Sequence, residues 1–109
     1  MTVLRLWSDW CLDPFYVDEG DGVFVLDNAR DVAERFGLPA DVMREVTGWD
    51  RLYQRHLDGV DPTESRWPEP DGHRVYLERG RAVARLLRRH LPADVGIEYL
   101  ADDAVRECY

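Results

Sequence analysis

The order of the apolar patterns constrains the fold more than any other feature of this sequence. Short β-rich segments lie near both ends, at residues 3–7 and 95–99, and residues 28–91 mostly carry a helical spacing of apolar positions. A β-hairpin follows the first strand, because apolar runs at 15–17 and 23–26 flank a short loop with two glycines. Strands at both ends with helices between them predict a two-layer α+β sandwich. We expect a three- to four-stranded sheet, covered on one face by about three helices.

Three segments carry the helical spacing. A glycine follows the first segment, and another lies inside each of the other two. The first is predicted to end at Gly37, because glycine readily adopts the left-handed conformation that stops a helix. The second covers about residues 40–57 and contains Gly48, which permits a break. The third covers residues 71–91. Gly80 lies in its apolar stripe, where a glycine lets the helix backbone approach another element closely.

The chain has the length of one domain, and we expect a single α+β domain over residues 1–100. Residues 101–109 are polar and are predicted to form a fraying C-terminal tail. Residues 58–71 hold three prolines and little apolar content. This composition predicts a long loop whose only large apolar anchor is Trp67.

The cysteines and the apolar runs indicate the compartment. Cys11 and Cys108 lie near opposite ends of the chain, unlike the cysteines of a small disulfide scaffold, and we expect two free thiols. Arg5 and Asp9 interrupt the region where a signal peptide needs apolar residues. The longest clearly apolar run, residues 23–26, is too short to cross a bilayer. The sequence therefore predicts a cytoplasmic protein without a membrane segment.

The net charge of −8 restricts the partners. An acidic chain repels phosphate backbones, so nucleic acid is not expected as a general partner. All 14 basic residues are arginine, a bias typical of GC-rich genomes. Residues 72–91 carry six arginines and one glutamate, whereas residues 1–71 carry seven arginines and 16 acids. The sequence thus places one basic helix inside an acidic protein.

Four short motifs resemble a known group of proteins. They are Leu-Arg-Leu-Trp-Ser-Asp-Trp over 4–10, Gly-Leu-Pro-Ala-Asp over 37–41, Gly-Arg-Ala-Val-Ala-Arg-Leu over 80–86 and Gly-Ile-Glu-Tyr over 96–99. Together they resemble a loose family of short, acidic, uncharacterised proteins from high-GC actinobacteria. The resemblance covers most of the chain, but its motifs are structural, so it implies no activity and no functional residue.

The candidate catalytic groups lack a recognisable motif. Cys11 follows a predicted strand, but Asp9 and Asp13 flank it, and nearby negative charge disfavours a nucleophilic thiolate. The histidines form no H-x-x-H pair and the acidic hairpin loop lacks the order of a calcium loop, so neither a metal site nor a cofactor is predicted. A small enzyme or ligand-binding accessory protein of a biosynthetic cluster is the first alternative. It requires a pocket that joins a histidine to carboxylates or to Cys11.

Two further patterns suggest other ligands. The corner from Ala33 to Gly37 has the spacing of a helix-turn-helix, and a DNA-binding regulator is the second alternative. However, a recognition helix over 39–47 would carry Asp41 and Glu45 against one arginine, which opposes binding to phosphates. The predicted third helix carries four arginines that either hold an anion or pair with neighbouring acids: Arg81, Arg85, Arg88 and Arg89.

The combination of large aromatic rings with acidic residues carries the main functional prediction. Rings in bends and loops can anchor a protein partner, and surrounding acids steer a basic one. We therefore favour a small protein-binding module over an enzyme. It would be an immunity protein, an antitoxin or a regulatory factor that neutralises a partner with a basic surface. The expected contact residues are Trp10, Asp13, Tyr16, Asp18, Glu19 and Trp67.

Overall fold

The computed structural model describes residues 1–56, 67, 71–102 and 105–109. It confirms the α+β class: within these residues, five strands form one open sheet and three helices pack on one of its faces. No helix in this part of the chain combines the length and the hydropathy that crossing a bilayer requires. The elements in chain order are β1 (Val3–Leu6), β2 (Phe15–Asp18), β3 (Phe24–Asp27), α1 (Ala29–Phe36), α2 (Ala40–His56), α3 (Gly72–His90), β4 (Gly96–Asp102) and β5 (Val105–Cys108).

The sheet is mixed, with the strand order β3-β2-β1-β4-β5. The central strand β1 runs parallel to β4, and the other neighbouring strands are antiparallel. Leu4 on β1 lies opposite both Val17 on β2 and Ile97 on β4. Because parallel neighbours require a long crossover, the three helices form the connection that carries the chain from β3, at one edge, back to the side of β1.

One face of the sheet packs against the apolar stripes of the helices and forms the core. Side chains alternate along β1, so Leu4 and Leu6 are fully buried while Arg5 points to the opposite face. Trp49 of α2 is the largest of the fully buried side chains. The other large buried residues of the core are Phe15, Val32, Val42, Val46, Tyr76, Leu87, Ile97 and Tyr99.

The opposite face of the sheet is covered by its own side chains. The Arg5 guanidinium lies 3.6 Å from the centre of the Phe24 ring, and its Nη2 pairs with Glu98 Oε2 at 2.9 Å. Trp7 and Tyr16 pack against each other on this face, with ring centres 5.6 Å apart. These contacts partly bury the polar and aromatic side chains of this face.

The first two helices follow the sequence signals closely. The Asn28 side chain accepts a hydrogen bond from the Asp31 N–H at 2.8 Å and caps α1. Gly37 ends α1 in the left-handed conformation, with φ of 65°. The break that Gly48 permits does not occur, and α2 runs continuously from Ala40 to His56. Val46 and Trp49, which are buried on either side of this glycine, hold the helix against the core.

The third helix confirms the predicted close approach at Gly80. A Cβ atom placed there would lie 2.2 Å from Tyr99 Oη and 2.7 Å from Trp49 Nε1, so only glycine fits between these buried rings. The N-terminus of this helix lacks the side-chain cap that an aspartate ordinarily provides. Asp71 is the N-cap residue, but its side chain forms no capping hydrogen bond.

The C-terminal residues differ from the prediction of a fraying tail. β4 continues to Asp102, and residues 105–108 form a fifth strand paired with β4. Long-range contacts hold this polar strand: Arg81 Nη2 of α3 pairs with Glu107 Oε2 at 2.9 Å, and the Tyr109 N–H donates to the Ile97 carbonyl. The predicted loop at 58–71 lies outside the described residues, except for Trp67 and Asp71.

Candidate interaction surface

Trp10 lies on an exposed turn between β1 and β2. Residues Asp9–Leu12 form this turn, hereafter the Trp10 turn, and the Leu12 N–H donates to the Asp9 carbonyl at 3.3 Å. Cys11 adopts the left-handed conformation, with φ of 59°. The Trp10 side chain is 51% exposed and Leu12 is 40% exposed. Of the aromatic residues predicted to contact a partner, Trp10 is therefore the one presented most openly to solvent.

A polar network from α2 holds the Trp10 turn. Gln54 Nε2 donates to the Asp9 carbonyl at 2.8 Å, and Gln54 Oε1 accepts from the Cys11 N–H at 3.0 Å. Beneath Gln54, Ser8 Oγ donates to Asp50 Oδ1 at 2.9 Å. Burial raises the pKa of the Asp50 carboxyl above its usual range, and the Ser8 hydrogen bond opposes this shift. Sequence analysis missed both Asp50 and Gln54, because polar residues on a helix are ordinarily solvated.

Asp13 and Tyr16 have structural partners. Asp13 Oδ2 accepts from the Ala29 N–H at 2.8 Å and so stabilises the N-terminus of α1. The Tyr16 ring is half-buried against Trp7, and burial raises the pKa of its hydroxyl. Of the two, only Asp13 is exposed.

Asp18 and Glu19 hold the hairpin. Asp18 is buried and accepts from the Gly20 and Gly22 N–H groups at 2.8 and 3.0 Å. The hydrogen bond from Gly20 is the main reason why the pKa of the Asp18 carboxyl is lowered. Glu19 is exposed and forms an ion pair with Arg35 of α1, with one N–O distance of 2.8 Å. Asp18 is thus part of the turn itself. Of the two acids, Asp18 and Glu19, only Glu19 reaches the surface.

Trp67 packs onto the core instead of extending into solvent. Its ring centre lies 5.2 Å from that of Tyr76 and 5.6 Å from that of His73. Trp67 is half-buried, and it adjoins the cluster in which Trp49 stacks on Tyr76. The ring therefore packs against α3 at the edge of the aromatic cluster.

A surface depression beside β3 contains one residue of the predicted contact set, Glu19, and six that were not predicted. Its volume is about 390 Å³, and we call it the hairpin groove. Val25, on the floor, is 62% exposed because β3 is an edge strand that the helices do not cover. The apolar run over 23–26 indicated a strand but not its position in the sheet. The lining residues are Val17, Glu19, Asp21, Val23, Val25, Leu26 and Asp27.

Two of the four predicted arginines of α3 bond to other groups of this chain. Arg81 is bound to Glu107 and Glu78, and its Nε lies 3.0 Å from Glu107 Oε1. Arg88 donates to the carbonyl of Val95 at 2.8 Å. The other two members of the predicted set, Arg85 and Arg89, are exposed.

The remaining candidate groups for chemistry lie apart. Cys11 and Cys108 are both exposed and are not joined by a disulfide. His73 packs on Trp67 and Tyr76. Within the described ranges, no three side chains among His, Cys, Asp and Glu converge as a metal site would require. The arrangement that the surface does provide, an exposed ring and an acid-rimmed apolar groove, is suited to recognition.

The comparison with protein families covers nearly the whole chain. The model of the family described as Serratia CdiI immunity protein-like matches residues 2–102, which include all three helices and four of the five strands. A search of curated proteins finds no match. The matched range contains both the Trp10 turn and the hairpin groove. This chain therefore belongs to the Serratia CdiI immunity protein-like family.

Proposed function

We propose that this chain is an immunity protein that binds a toxin polypeptide with a basic surface and thereby blocks its activity. Membership of an immunity-protein family is the observation that carries the proposal. The net charge of −8 supports it, because an acidic protein attracts a basic partner and accelerates their association. The exposed valines and acids of the hairpin groove supply a surface of matching character.

The hairpin groove fits a long basic side chain. Arg and Lys combine an apolar stem with a charged head, so they need an apolar floor and acids at the rim. Val23 and Val25 provide exposed apolar surface, and Asp21 and Asp27 provide carboxylates. Neither of these aspartates forms an ion pair with another residue in the described part of the chain. Asp27 lies close enough to Arg35 to interact with its charge, so Asp21 is the carboxylate of the two that remains to meet a cation of the partner.

The proposal includes a cytoplasmic setting and an actinobacterial source. Two exposed cysteines without a disulfide are typical of a reducing compartment. The use of arginine for all 14 basic residues is the pattern of a GC-rich genome.

The test uses the polypeptides encoded directly beside this chain's gene. Each is induced in a bacterial host with and without this chain, and growth is followed. We expect one neighbour to inhibit growth and this chain to restore it. The purified pair should then form a complex whose association slows as the salt concentration rises. If no neighbour is toxic, or if this chain neither protects nor binds, the immunity function is refuted.

A pair of valine variants then tests the groove. Val25→Arg places a cation among the residues that line the hairpin groove, whereas Val105→Arg makes the same change on β5, the opposite edge strand. The two valines are comparably exposed, at 62% and 49%. We expect Val25→Arg to weaken the complex by at least about 30-fold and Val105→Arg to leave it unchanged. Equal effects of the two variants would exclude the groove from the interface.

A further inference from the structure

We propose that the Trp10 turn is a preorganised anchor whose indole inserts into an apolar, basic-rimmed pocket of the toxin, with Gln54 as its positioning residue. The inference rests on the proposed immunity function and adds to it the residue that enters the partner and the one that holds it ready. Neither role follows from the family match, which covers the region without distinguishing its residues.

The exposed apolar side chains of the turn suit an anchor. Trp10 and Leu12 are two of the eight large apolar residues exposed among those described, and they lie two positions apart. Tryptophan has only two side-chain torsions, so it contributes a large contact area at a small cost in conformational entropy. Buried tryptophans at the centres of interfaces are among the residues whose truncation costs most. An indole held in solvent is thus unfavourable for the free protein but well placed for a complex.

The backbone of the turn is strained and firmly held. Cys11 is the only residue other than glycine with positive φ in the described chain, a conformation that costs about 1 kcal/mol or more outside glycine. Such strain persists only where surrounding contacts determine the conformation. Three side-chain hydrogen bonds do so here: Asp9 Oδ1 accepts from the Trp10 N–H at 2.8 Å, and Gln54 bonds to the backbone on both sides of Trp10.

The support of the turn reaches into the protein. Gln54 Nε2 lies 3.4 Å from Asp50 Oδ1, which also accepts from Ser8 Oγ. Ser8, two residues after β1, is 2% exposed. The hydrogen bonds therefore connect a buried side chain and α2 to the exposed turn. A turn that served only to join β1 to β2 could use glycine in place of Cys11 and would need no such clamp. Holding the ring in one place before binding lowers the entropy lost on association.

The charges around the ring define the partner's pocket. Asp9 and Asp13 flank the exposed residues of the turn, and neither forms an ion pair with any residue that the structure describes. A pocket that accepts the indole must therefore be apolar inside and carry Arg or Lys at its rim. This matches the basic partner that the net charge of −8 favours.

The experiment measures the binding of four variants to the neighbour-encoded toxin polypeptide identified by the growth test. The variants are Trp10→Ala, Gln54→Leu, the double variant, and Val105→Ala as a control with similar exposure at 49%. We expect Trp10→Ala to raise Kd by about 30-fold or more and Gln54→Leu to raise it by about 3- to 10-fold. Val105→Ala should bind like the natural chain. Urea unfolding of each variant confirms that it is folded.

The double variant separates positioning from general support. If Gln54 acts by holding Trp10, its replacement has no further effect once the indole is gone, so the double variant should bind like Trp10→Ala. Unchanged binding by Trp10→Ala overturns the inference while leaving the immunity function intact. Additive losses in the double variant overturn the positioning role of Gln54. If the natural chain itself binds no toxin, the immunity function and this inference fail together.

Discussion

Replacement of Gly80 by alanine tests the packing of α3 most directly. Gly80 faces Tyr99 of β4 and Trp49 of α2, and both rings are fully buried. A new Cβ atom would lie 2.2 Å from Tyr99 Oη, 2.3 Å from Tyr99 Cζ and 2.7 Å from Trp49 Nε1. None of these distances is tolerable for non-bonded heavy atoms, so either the helix or the rings must move.

The expected loss in the free energy of unfolding follows from two opposing effects. Overpacking a buried site costs about 1–3 kcal/mol, and the upper end applies because the displaced atoms belong to two enclosed rings. Alanine recovers about 1 kcal/mol of helix propensity over glycine. The free energy of unfolding should therefore fall by about 2 kcal/mol. With a typical urea dependence of about 2 kcal/mol per M, the unfolding midpoint moves down by about 1 M.

Gly48→Ala supplies the matched control. Gly48 is also inside a helix, but a Cβ atom there would meet Arg79 Nη2 at 2.7 Å, the far end of a flexible side chain that is 43% exposed. Arg79 can move away at little cost, so the free energy of unfolding of this variant should rise by about 0.5–1 kcal/mol. Urea unfolding followed by circular dichroism measures both variants. If Gly80→Ala proves as stable as the natural chain, the close approach of α3 to the rings is refuted.

Two carboxylates should show opposite pH dependence. Burial raises the pKa of Asp50 in the folded state, so its charge opposes folding increasingly as the pH rises above the ordinary value of about 3.9. Asp50→Asn should therefore be more stable than the natural chain at pH 7 and equally stable near pH 3; lower stability at pH 7 would contradict this. The Arg81 guanidinium lowers the pKa of Glu107, so their pairing stabilises the fold above about pH 4 and is lost as the pH falls further. Glu107→Gln should lower the free energy of unfolding by about 0.5–1 kcal/mol at pH 7 and by less at pH 3. A loss of stability that does not depend on pH would contradict its origin in the ion pair with Arg81.

Local patterns predicted the helices and most strands because their signals lie within a few residues. The stripe of α1 lies between a capping Asn28 and the left-handed Gly37, and the helix ends at this glycine as predicted. Strand order had no such signal. Arg5 of β1 and Glu98 of β4 are 93 positions apart, and only the folded chain brings them into contact. The strand at residues 105–108 also depends on distant contacts. Its polar sequence does not predict a strand, but pairing with β4 and the ion pair from Arg81 to Glu107 hold it in place.

The candidate surface was only partly predictable. Trp10 was selected because it lies in a bend, and the structure exposes it. Asp18 was selected as an acid that steers a basic partner, yet it is buried and accepts hydrogen bonds from the hairpin backbone. The floor of the hairpin groove was not selected, because Val25 has the spacing of a core residue and is exposed only through the edge position of β3.

The sequence alone predicts the α+β class, the end of α1 at Gly37, the close approach at Gly80 and the acidic balance of the chain. Propensity, capping and net charge depend on a residue and its near neighbours, so they can be read along the chain. Local patterns could not show which rings cover the core, which rings face solvent, or which polar groups support the Trp10 turn. Exposure and hydrogen bonding depend on which distant elements pack together, and Gln54 meets Asp9 and Cys11 only after α2 has docked beside β1.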